Sequence, residues 1–152
     1  MGGRTDAVPA YVLAVDPGRL KCGIAVMDAE DRIRLKEVVP NDAVLARLLA
    51  YAERFAPAMV VLGDRTGSRG WRARIERALG ERVIGLALVD EHLSTVEARR
   101  RYLAEHPPRG WRRLIPPPFR VPDRPVDDYV AVILAERYRR RRRHGPPEGP
   151  SR

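Results

Sequence analysis

The sequence predicts an α/β fold, a mixed five-stranded sheet with helices on both faces. Three observations carry this. Residues 11–39 hold three short strand-like segments separated by tight turns, the pattern of an antiparallel meander. Residues 41–106 then alternate helically spaced apolar positions with short apolar runs, the pattern of strands joined through helices and therefore parallel. At 152 residues, 44% of them hydrophobic, the chain suits a single domain with a real core.

Each element has its own warrant. "YVLAVD" (11–16) and "GIAVMD" (23–28) are continuous apolar runs, hence buried strands. "RIRLKEVV" (32–39) sets Ile33, Leu35 and Val38 against Arg34 and Lys36, a strand with one exposed face. "NDAVLARLLAYAERF" (41–55) opens on a capping Asn or Asp and spaces Val44, Leu48, Ala52 and Phe55 as a helix does. "AMVVLGD" (58–64) reads as a buried strand, and "RGWRARIERAL" as an amphipathic helix stopped by Gly80. "RVIGLALVDE" (82–91) reads as another buried strand. "STVEARRRYLAEH" begins with Ser94 and has Glu97 three residues on, a capping box. The proline-dense stretch 107–125 excludes regular structure, and "VDDYVAVILAERYRRRRR" is a final helix. The expected organisation is a leader over 1–10, one domain over 11–143 and a disordered tail over 144–152.

Strands 1, 4 and 5 would be parallel, and Asp16, Asp64 and the pair Asp90–Glu91 all fall at their carboxyl ends. Ligands bind at that edge of such sheets. Crowded carboxylates repel one another and resist desolvation, and a divalent cation removes the conflict. On the last helix, a step of about 100° per residue puts Asp127 within the apolar stripe and Asp128 outside it. Asp127 is thus expected to point inward and Asp128 outward. Plainer roles exist for each of these: a turn at "DPG" for Asp16, the helix N-terminus for Asp127, a surface arginine for Glu91. His92 is expected to be structural or solvent-facing, and Trp71 and Trp111 to serve packing or loop anchoring.

Net charge is +9, and only Lys21 and Lys36 among the 29 basic residues are lysines. Codon bias accounts for arginine over lysine but not for the excess charge, which points to a polyanion such as nucleic acid. The arginine run at 139–143 fits a solvated helix end or a nucleic-acid contact. A lone cysteine, Cys22, excludes an internal disulfide and a cysteine-rich zinc site. "MGGRTDAVPAY" lacks the apolar core of a signal peptide, so a cytoplasmic location is expected, without membrane contact.

Three blocks together resemble the YqgF family, also called RuvX, of the RNase H-like superfamily that includes the RuvC Holliday junction resolvases. "VLAVDPGRLKCGIAVMD" is similar to the family's first block, a strand ending in Asp-x-Gly followed by Gly-x-Ala. "VDEHLSTVEARRRY" resembles its Asp-Glu block, with His92 where Arg is usual. "VDDYVAVILAERY" resembles its final helix. The chain departs from the family at "GDRTGSRG", where a Gly-x-Pro is common, and in its longer proline-rich loop.

The resemblance implies an RNase H-like sheet in the order 3-2-1-4-5 and a nuclease dependent on Mg²⁺ or Mn²⁺. The implied metal ligands and catalytic residues are Asp16, Glu91 and Asp127, with Asp64 as an optional fourth. The implied substrate is structured nucleic acid, with processing of the 5′ end of precursor 16S rRNA as the expected task. Holliday junction cleavage and a non-catalytic nucleic-acid-binding module are the alternatives. Arg19, Lys21, Arg65, Arg99, Arg112 and Arg113 are the expected nucleic-acid contacts. An actin-like ATPase, which shares Asp-x-Gly, would need a second half that this chain lacks.

Overall fold

The computed structural model describes residues 11–65 and 67–145. The expected leader, and the tail from residue 146, lie outside the described residues. The elements are β1 (Val12–Asp16), β2 (Lys21–Met27), β3 (Ile33–Pro40), α1 (Val44–Phe55), β4 (Met59–Gly63), α2 (Ser68–Leu79), β5 (Gly85–Val89), α3 (Ser94–Glu105) and α4 (Asp127–His144). The sheet order is β3-β2-β1-β4-β5. β1 pairs antiparallel with β2 and parallel with β4, and β4 pairs parallel with β5. No helix among the described residues is long and apolar enough to cross a membrane.

β1 is central and buried on both faces, which is why its sequence is apolar throughout rather than alternating. Side chains still alternate along it. Leu13 and Val15 join the core under α1 and α2, whereas Val12 and Ala14 join the core under α3 and α4. By the same alternation Asp16 belongs to the α3/α4 face. Val61 of β4 and Val89 of β5 lie on that face too, so Gly63 and Glu91, each two residues further on, share it.

Several local expectations are corrected. α1 has Ala43 at its N-cap with no side-chain cap. Asn41 instead donates to Gly18 O and Arg19 O and accepts from the Cys22 thiol. The predicted capping box is absent: Ser94 is the first residue of α3, and the N-cap is Leu93 in left-handed backbone. β5 is an edge strand, mostly half-buried or exposed, so its apolar run overstated its burial. The proline-rich loop holds two 3₁₀ turns, Gly110–Leu114 and Pro117–Phe119. The second opens on proline, at a position where no amide hydrogen is needed.

The helical phase of α4 needs the largest correction. Asp128, expected outside, is buried, and Asp127 is only half-buried. α4 packs against the sheet and α3 together. Its buried residues therefore run almost unbroken from Asp128 to Ala135, rather than in one stripe. The arginine run is also divided. Arg139 is buried, donating to Asp28 O at 2.8 Å, while Arg140–Arg143 are exposed.

Candidate active site

At the carboxyl edge of the three parallel strands a row of residues crosses the sheet on the α3/α4 face. Gly23 of β2 pairs with Asp16 of β1. Gly63 of β4 stands one step past the last β1–β4 pair and is itself paired with Val89 of β5. Asp16 is thus flanked on both neighbouring strands by glycine. Both glycines are required by close approach. A Cβ on Gly63 would lie 1.5 Å from Glu91 Oε1, and one on Gly23 would lie 1.8 Å from the Asp127 carbonyl oxygen. The first absence lets the Glu91 carboxylate lie across β4 toward Asp16, and the second lets the start of α4 settle on β2.

Asp16 and Glu91 are both buried. If both were ionised, Asp16 Oδ1 and Glu91 Oε1 would be buried without a donor. That is unfavourable in a low-dielectric setting. The Asp16 carboxyl is accordingly pushed up from 3.8 to about 8, first by burial and then by the negative charges of Glu91 and Asp127. Glu91 is also raised, chiefly by burial, against the pull of Arg65. Arg65 is the cation in contact: its Nε lies 2.5 Å from Glu91 Oε2 and its Nη2 donates to Thr95 Oγ1.

Of the four expected ligands, the structure brings Asp16 and Glu91 together and sets Asp127 within range of Asp16's titration. Asp127 does not close on the pair. Among the described residues, no three acidic, histidine or cysteine side chains are grouped tightly enough to hold a metal ion as they stand. Asp64 is exposed and its Oδ1 accepts from the backbone N–H of Glu91 at 3.2 Å, so it braces the turn that carries Glu91. Asp90 caps the His92 amide, and its carbonyl accepts from Arg137. His92 itself is exposed, as expected.

The donor set nonetheless fits a hard divalent cation. Its members are oxygens, two of the carboxylates are buried with undonated atoms, and burial together with the charges of Glu91 and Asp127 raises the proton affinity of Asp16. Beside the acids opens a cleft of about 430 Å³ lined by Pro17, Gly18, Arg19, Arg65, Gly67 and Trp71. Of the other expected contacts, Lys21, Arg99, Arg112 and Arg113 are exposed.

Sequence reasoning missed two supports. Asn41 clamps the β1–β2 turn beside Asp16, and Gly63 vacates the space for Glu91. The glycine did leave a signal: it ends a strand of bulky residues on the same face as the acids.

This topology, with its acids at the carboxyl edge, is that of the RNase H-like α/β fold. Among solved structures, the chain is similar to Thermus thermophilus RuvC, with 20% identity and a TM-score of 0.60 over 89% of this chain and 96% of that one. It is also similar to the fowlpox virus Holliday junction resolvase, with 15% identity and a TM-score of 0.52 over 86% of this chain and 97% of that one. No protein-family model matches the chain, and no curated protein matches it either.

Proposed function

We propose that this protein is a divalent-metal-dependent nuclease that hydrolyses phosphodiester bonds in structured nucleic acid. The observation that carries this is the buried Asp16–Glu91 pair, whose undonated oxygens meet at the carboxyl edge of parallel strands. A fold has no structural use for such a pair, since burying like charges without donors costs stability. Bound Mg²⁺ or Mn²⁺ would supply an activated water and charge neutralisation at the leaving oxygen. Asp16 and Glu91 would hold the metal, with the half-buried Asp127 as the third ligand from α4. Asp64 would act through Glu91 by holding its backbone rather than as a ligand. Arg65, seated on Glu91 in the structure, would turn to the scissile phosphate as the carboxylates take their cation. Arg19, which lines the same cleft, would neutralise a flanking phosphate.

The three sequence blocks favour precursor 16S rRNA as the substrate. The resemblance in fold to two resolvases over nearly their whole lengths favours a four-way DNA junction as the second reading. The experiment is cleavage of both substrates side by side with Mn²⁺, with Mg²⁺ and with EDTA, by wild type, Asp16→Asn and Glu91→Gln. Metal-dependent cleavage lost in both variants is the expected result. Tight binding with no cleavage of either substrate under any metal would replace the nuclease with a non-catalytic binding module.

A further inference from the structure

The proline-rich loop builds a second surface that the hydrolytic site does not use. A cleft of about 600 Å³ lies between this loop and the end of α3, with Tyr102, His106, Trp111, Ile115 and Phe119 among its lining residues. Tyr102 and His106 are stacked, their ring centroids 4.2 Å apart. Trp111 and Phe119 are 71% and 73% exposed, and Leu114 and Val121 are exposed beside them. Trp71 shows the contrast, since it is buried in the core under α1 and α2. So much apolar surface in one short stretch of a folded chain marks an interaction site.

Charge selects the occupant. Arg109, Arg112, Arg113 and Arg120 interleave with the aromatics. The acids of the cleft are already engaged: Asp123 by the Tyr102 hydroxyl and by Arg112, and Glu105 by the Tyr129 hydroxyl. Arg109 and Arg113 have no carboxylate partner among the described residues. Exposed aromatic faces set among cations fit a nucleobase with its phosphates, because every base has a face to stack and every linkage carries a negative charge. A paired base in a duplex is already stacked on its neighbours, so the cleft suits unpaired nucleotides. The loop is also tied to the hydrolytic site. Arg124, next to Asp123, holds Asp128 through two hydrogen bonds, and Asp128 follows Asp127.

We infer that the cleft formed by residues 102–123 is a stacking subsite for unpaired nucleotides, with Trp111 as its principal platform. The inference rests on the reading of the protein as one that acts on nucleic acid, but not on its catalysis. The test is equilibrium binding in EDTA of fluorescent oligothymidylate, oligouridylate and a blunt duplex to wild type, Trp111→Ala and Trp111→Phe. Stacking on one aromatic is worth enough that Trp111→Ala should weaken single-strand binding about tenfold. Duplex binding should change less than about twofold, because phosphate contacts carry it, and Trp111→Phe should restore most of the loss. Trp111 is exposed, so the variants should keep the wild-type melting temperature, which is measured alongside. Unchanged single-strand affinity in Trp111→Ala, an equal loss on duplex, or no rescue by phenylalanine would each overturn the subsite. The first of these would leave the cleft to a protein partner. Cleavage by wild type and its loss in Asp16→Asn, measured separately, tell failure of the subsite from failure of the nuclease.

Discussion

Replacing Asp16 by Asn should stabilise the metal-free protein, and the gain should grow with pH. Asp16 is buried against Glu91 and near Asp127, and its carboxyl is pushed up from 3.8 to about 8. Between these values the folded state binds a proton that the unfolded state has released. Stability therefore falls as pH rises from about 4 to about 8 and levels off above. At 1.36 kcal/mol per pKa unit, the cost of keeping Asp16 folded is ~2 kcal/mol at pH 5, ~4 at pH 7 and ~6 at pH 9. An amide of the same shape carries no charge and escapes this cost. For a domain of this size, about 3 °C per kcal/mol makes Asp16→Asn roughly 10 °C more stable than wild type at pH 7 in EDTA. The assay is a set of thermal melts from pH 5 to pH 9, with EDTA and with Mn²⁺. Mn²⁺ should raise the wild-type melting temperature most at high pH, where it replaces the proton, and should move the variant little. Parallel pH profiles for the two proteins in EDTA would refute the reasoning, because Asp16 would then not be the group that is penalised. A variant less stable than wild type at pH 9 would do the same.

Two further substitutions probe the frame around the acids. Gly63→Ala places a methyl group 1.5 Å from Glu91 Oε1, so it should push the Glu91 side chain off β4; cleavage should fall by orders of magnitude and the Mn²⁺-induced rise in melting temperature should shrink with it. Asp127→Asn should leave the melting temperature in EDTA nearly unchanged while cutting cleavage at least a hundredfold. Asp128→Asn should do the reverse, costing roughly 2 kcal/mol in denaturant titration because it removes the buried charge with which the part-exposed Arg124 and Lys36 pair, with cleavage at low temperature nearly retained.

The contrast between Asp127 and Asp128 shows where sequence reasoning stops. The strand order followed from the family resemblance, and the positions of Asp16 and Glu91 were legible because each closes an apolar run that reads as a buried strand; the strict period of two along a strand then sets the face. Once Val12 and Ala14 face α4, Asp16 must face it too. The parallel links then bring the ends of β1, β4 and β5 to one edge whatever the side chains do. A helix offers no such certainty when it is buried on several sides. The middle of α4 is buried on every side rather than along one stripe, and its first turn lies where the sheet, α3 and the proline-rich loop converge. There, burial of Asp128 is decided by partners outside the helix, namely Lys36 from the distant β3 and Arg124 from the loop just before α4.

Caps failed for a related reason. Asn41 and Ser94 have the right chemistry to cap helices. Asn41 is spent instead on holding the turn after Asp16, and Ser94 hydroxyl is buried without a partner just after Glu91. Both residues sit beside an acid of the candidate site. The local rules give way where the chain has been shaped around two buried carboxylates, which is the pattern expected when stability is traded for a binding site. Gly23 and Gly63 follow the same logic: each weakens its strand, and each leaves room that a site acid or its helix occupies.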